Sequence, residues 1–88
     1  MLIDKNKVPF KYIIGYKDCD PLHLLYQILT YLGFSEREDM EFTVPEVNMH
    51  TTVREDGKAL PLIEKLVASG HVEKVKGVKY RVVLNPWT

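Results

Sequence analysis

Lys74, Lys76, Lys79 and Arg81 crowd into eight residues, separated mainly by valines, a tyrosine and one glycine. Cations on the outward side of a hairpin present ammonium and guanidinium groups, which bind phosphate oxygens and carry no base information. Upstream, Thr51, Thr52, Arg54, Lys58 and Lys65 are the other side chains placed to touch an anionic polymer. Of these only Arg54 can grip a guanine edge with two parallel hydrogen bonds. Glu55 and Asp56 follow it directly, so Arg54 either reads a base or is held in a local ion pair. The lysines have a plainer role as well, since charge on an edge strand keeps it soluble and unpaired.

Other chemistry finds little support. Asp18-Cys19-Asp20 with His23 gathers a thiol, two carboxylates and an imidazole, but zinc sites show paired Cys/His spacings and no second pair follows. His50 and His71 are distant in sequence, and Asp20 has a simpler use as a helix cap. A Cys19 nucleophile would need a partnered base and an oxyanion site, for which no motif exists. The glycines are isolated, so there is no phosphate-binding loop. The expectation is a chain without catalytic residues, metal, cofactor or small-molecule substrate.

Composition sets the frame for these residues. Eighty-eight residues, 45% of them apolar, suit one globular domain. Formal net charge is zero, but its distribution is uneven. Residues 35–56 carry seven acids (Glu36, Glu38, Asp39, Glu41, Glu46, Glu55, Asp56) against Arg37 and Arg54. Residues 57–88 reverse the balance, with six bases against Glu64 and Glu73. A lone cysteine, no apolar run of membrane-spanning length and no signal-peptide pattern make the cytoplasm the expected compartment.

The elements that must position the cations follow from periodicity and punctuation. Val8, Phe10, Tyr12, Ile14 and Tyr16 alternate with Pro9, Lys11, Ile13 and Gly15, which predicts a half-buried strand over 8–16. Asp20-Pro21 opens a helix as N-cap and N1, with Leu22, Leu25, Ile28, Leu29 and Leu32 on one face. Gly33 is the expected left-handed stop, and His23 and Gln27 fall outside the stripe, hence exposed. Residues 34–41 form an acidic connection, either a single turn capped by Ser35-x-x-Glu38 or a solvated loop.

Thr43-Val-Pro-Glu46 is a capping box, with Phe42 and Val47 at the staple positions, and opens a second helix of about two turns. Asp56-Gly57 makes a turn, and a third helix starts no earlier than about Lys58, with Pro61 in its first turn. Ser69-Gly70 closes it. The hairpin then places Val72, Val78, Tyr80, Val82 and Leu84 inward, with Val72 opposite Tyr80, Lys74 opposite Val78 and a Val75-Lys76-Gly77 loop. This register pairs Glu73 with Lys79, beside His71 and Arg81. Trp87 folds back onto an apolar patch.

Ile63-x-x-Leu66-x-x-x-Gly70-His-Val72 resembles the close of the recognition helix into the wing in many bacterial, archaeal and phage regulators. Thr43-x-x-Glu46-Val47 is similar to the opening of their second helix. In the order strand, helix, short strand, capped helix, turn, helix, hairpin, residues 20–84 resemble a winged helix-turn-helix domain. The resemblance implies an α+β fold of three helices and a C-terminal hairpin over 20–88, with residues 1–19 an extended arm or extra N-terminal strand. It implies double-stranded DNA as partner, with the third helix in the major groove and the wing on the backbone. It further implies a small regulator or replication accessory factor, a homodimer through the arm or first helix, and the size of a lone domain would suit a virus or mobile element. Asn48, where such families carry a small Ala, and the long 51–57 turn depart from the pattern. The alternative is a protein-interaction module on the same scaffold, supported by zero net charge, the acidic segment and the aromatic arm.

Overall fold

The computed structural model describes residues 3–13, 20–51 and 59–88. The predicted turn at 54–58, the Asp18-Cys19 pair and the end of the predicted strand at 14–16 lie outside the described residues. Within them the chain is α+β. A 3-10 turn over Lys5–Lys7 and a short helix α1 (Phe10–Ile13) precede the long helix α2 (Pro21–Phe34). Strand β1 (Glu41–Thr43) runs straight into α3 (Val44–His50). Helix α4 (Ala59–Ala68) is followed by β2 (Val72–Lys76) and β3 (Lys79–Val82). The sheet is antiparallel in the order β1-β3-β2, so the early strand lies on the far side of the hairpin's second arm.

The core lies between the helices and one face of this sheet. Leu24, Leu25, Ile28, Leu29 and Leu32 of α2 meet Ile63 and Leu66 of α4, with Val47, Phe42, Val72, Tyr80 and Val82 completing the cluster. Phe42 stacks on Tyr80, its cross-strand partner, at 6.1 Å between ring centroids. No helix among the described residues is long and apolar enough to cross a membrane.

Local chemistry explains where most elements begin. The Asp20 carboxylate accepts from the Leu22 N–H at 2.9 Å and Pro21 occupies N1, so the first turn of α2 leaves little unsatisfied. The capping box of α3 is formed in both directions. Glu46 N–H donates to Thr43 Oγ1 at 3.3 Å, and Thr43 N–H donates to Glu46 Oε1 at 3.0 Å. Helix α4 ends as expected at Ser69-Gly70. Gly70 has φ +85°, its N–H bonds Val67 O, and the His71 N–H bonds Leu66 O.

Helix α2 corrects the expected Gly33 stop. It runs one residue past Gly33, and the same closing pair of bonds forms two residues later: Glu36 N–H to Gly33 O and Arg37 N–H to Leu32 O. Glu36 therefore takes the left-handed position, at φ +54°. A side chain is strained in that region, and a carboxylate at a helix C-terminus also opposes the macrodipole. Glu36→Gly should raise the unfolding free energy by about 0.5–1 kcal/mol, measured by urea denaturation. An unchanged or lower midpoint would contradict the strain.

The predicted N-terminal strand is also corrected. Residues 10–13 are helical, and Val8 and Tyr12, four apart, are buried while Phe10 between them is 70% exposed. Val8 is extended and precedes α1, while Tyr12 on α1 turns inward beside Trp87, so burial of these two outweighs the period-two reading of the same apolar residues. Pro9 sits just before the helix, where its missing N–H costs nothing, and its carbonyl accepts from Tyr12 N–H. Its described residues pack on α2, and none of them joins the sheet.

His23, expected to be exposed, is buried with its ring edge-on to Tyr12 at 6.1 Å. Burial lowers its pKa, against a smaller opposing pull from Asp20. The connection at 35–40 is a pair of turns with no helix, in favour of the loop reading. Trp87 does fold back. It is buried between Tyr12 and Tyr26, with ring centroids 5.9 and 6.2 Å away.

Candidate functional site

The hairpin register differs from expectation by two residues. Val72 faces Val82, Glu73 faces Arg81 and Lys74 faces Tyr80, after which Val75 is an extra residue and Lys76 faces Lys79. The loop is the two-residue turn Gly77-Val78, in which Gly77 alone has a positive φ, +58°. Glycine at the first central position suits a tight hairpin turn that a three-residue loop would not need. A shift of two preserves faces, so Val72, Tyr80 and Val82 stay inside. Val78 and Leu84, expected inward, are half exposed because they lie beyond the paired region.

This register decides the fate of the four hairpin cations. Residues opposite one another share a face, so one outer row reads Glu41, Arg81, Glu73 and the next reads Thr43, Lys79, Lys76. The Arg81 guanidinium donates to both Glu73 carboxylate oxygens, at 3.0 and 3.1 Å, and that bond raises the arginine's pKa. Lys79 Nζ lies 3.4 Å from Glu41 Oε1. The expected Glu73–Lys79 pair is thus replaced by two others. Lys74 and Lys76 are exposed and make no ion pair among the described residues. Lys76 faces Lys79 across one rung beside the turn, a like-charge pairing that Glu41 eases by holding the Lys79 ammonium.

The helical candidates fare unevenly. Thr52, Arg54 and Lys58 lie outside the described residues. Thr51 is the C-cap of α3, only 4% exposed, with its hydroxyl donating to Val47 O at 2.6 Å. That position closes a helix and withdraws Thr51 from any surface contact. Lys65 is exposed on the solvent side of α4, opposite the buried Leu62, Ile63 and Leu66.

A second polar cluster has no counterpart in the sequence-based expectations. Glu46 accepts from Thr43 through one oxygen, and its other oxygen accepts the Tyr31 hydroxyl at 2.6 Å and pairs with Arg37. Arg37 also donates to Glu41 O at 3.2 Å and lies over the Tyr31 ring. The Arg37 bond, with help from Tyr31 and Thr43, holds the Glu46 carboxyl at about 2 despite its burial. Only the Thr43 half of this arrangement has a sequence signature. The cluster ties the end of α2 to β1 and α3, and every polar group in it is already satisfied by a neighbour, which marks it as structural.

Among the described residues no group of three or more His, Cys, Asp or Glu could hold a metal ion. Comparison of the chain with protein-family models, with curated proteins and with solved structures gives no match.

Proposed function

We propose that the chain is a winged helix-turn-helix protein that binds duplex DNA in the cytoplasm as a small regulator, with the β2–β3 hairpin as its wing. The order α2, β1, α3, α4 and hairpin, with β1 added to the hairpin's second strand, supports the fold reading. One observation carries the binding reading: Lys74 and Lys76 stand exposed without carboxylate partners among the described residues, while the acids of the same sheet are occupied by Lys79 and Arg81. Unsatisfied cations beside a turn are where phosphate binding releases counterions most cheaply.

The wing reading therefore divides the cations. Replacing Lys74 and Lys76 together by alanine should flatten the log–log salt dependence of duplex binding by about 1.8, roughly 0.9 for each phosphate no longer neutralised. Lys79→Ala and Arg81→Ala should change it less, because each first breaks a pair with Glu41 or Glu73. Fluorescence anisotropy with a random-sequence duplex at several salt concentrations gives the slopes. Absence of duplex binding at low salt would overturn the proposal and leave the protein-interaction reading.

A further inference from the structure

Phe34, the last residue of α2, is 87% exposed on a helix whose opposite face is fully buried. The residue before it, Gly33, is helical although glycine is about 1 kcal/mol poorer than alanine inside a helix. Above Gly33 lies a mainly apolar hollow of about 220 Å³, bounded by Ile3 and Lys5 on one side and by Tyr26, Thr30 and Phe34 on the other. An apolar cavity of roughly 150 Å³ accommodates a benzene ring, so this hollow takes one aromatic side chain and little more. A protruding ring and a hollow sized for a ring thus lie side by side on one face.

We propose that this face binds a second copy of the same chain, with Phe34 of each copy seated in the hollow over Gly33 of the other. A twofold interface requires a self-complementary patch, in which residue i meets j and j meets i, and a knob next to its own matching hole meets that condition. Charge agrees with shape. Lys5 stands at the rim of the hollow and Glu36 lies two residues beyond the knob, and neither has an ion pair among the described residues. Seating the knob carries Glu36 toward the partner's Lys5, once in each direction. Two aromatic anchors bury a few hundred Å², well below the roughly 800 Å² per partner of a standard stable interface. The association is therefore reversible and concentration-dependent. It stands apart from nucleic-acid binding, since none of these residues is in the wing.

Sedimentation of the full chain over a wide concentration range tests it. The unaltered chain should shift from monomer to dimer as concentration rises. Phe34→Ala should raise the dissociation constant about tenfold or more, with an unchanged thermal midpoint at low concentration because the side chain is exposed. Gly33→Leu should fill the hollow and do the same, and Phe34→Ala carries the test if that variant fails to fold. Lys5→Glu and Glu36→Lys should each weaken the dimer, and the two together should restore it. A chain monomeric at every concentration overturns the proposal. So does a dimer indifferent to Phe34→Ala, or a charge exchange that restores nothing.

Discussion

Trp87→Ala should cost about 3–5 kcal/mol of unfolding free energy, the usual loss when a large buried aromatic is cut back to a methyl group. Trp87 is 4% exposed and fills the space between Tyr12 of α1 and Tyr26 of α2. Its carbonyl accepts the Asp4 N–H at 2.7 Å, and Lys7 bonds the carbonyl of Thr88. The indole is therefore the wedge that fastens the first residues of the chain and the last to the same flank of α2. A domain of this size has a total stability of only about 5–13 kcal/mol, so the loss removes a large part of it. Urea denaturation followed by circular dichroism measures it, since the variant lacks the only tryptophan. Phe10→Ala, truncating a ring of similar size that is 70% exposed, should stay within about 0.5 kcal/mol. A Trp87→Ala loss below about 1 kcal/mol would mean that this flank adds little to the cooperative fold.

Glu46→Ala should be the second large effect, at about 2–3 kcal/mol. It removes the side-chain half of the capping box, the bond from Thr43 N–H, while the Thr43 cap itself remains, and it leaves the half-exposed Arg37 charge and the Tyr31 hydroxyl without this acceptor. The same carboxylate predicts an acid limb. Its folded pKa, about 2, lies below the usual 4.5, so the unfolded chain binds more protons between those values. Stability from this group is complete above pH 4.5 and drains away as the pH falls toward 2. Solvent around Arg37, 35% exposed, reduces the contribution to about 2 kcal/mol. Glu46→Gln should lose most of that limb while keeping the amide contact to Thr43. An acid limb identical in Glu46→Gln and the unaltered chain would show that Arg37 and Tyr31 do not hold the charge.

Sequence reasoning succeeded where a feature is decided within a few residues. Asp20-Pro21, Thr43-x-x-Glu46 and Ser69-Gly70 each satisfy their own helix end, and all three stand where expected. It failed where two local answers compete and distant packing chooses. Val8, Phe10 and Tyr12 alternate like a strand, yet the chain turns helical at Phe10 and buries Tyr12 beside Trp87, seventy-five residues further along the chain. Gly33 has the residue type of a stop, but the ladder of α2 tolerates a glycine and the chain strains Glu36 instead. The candidate site follows the same division. Positions of the hairpin cations were legible, whereas their neutralisation was not, because Glu41 reaches Lys79 from β1 across a pairing that no local pattern announces.

The extra residue at Val75 has a geometric consequence. Strict alternation would stand Lys74 and Lys76 shoulder to shoulder on one side of β2. With the bulge, Lys74 faces Tyr80 and Lys76 faces Lys79, neighbours on β3 that point to opposite sides of the sheet. The two lysines, without ion pairs among the described residues, therefore stand back to back, like the jaws of a clip with the strand's outer margin between them. A small, flat anion can satisfy only one jaw. A ribbon of negative charge passing over that margin can engage both, and the bulge is what gives the hairpin two sides to offer.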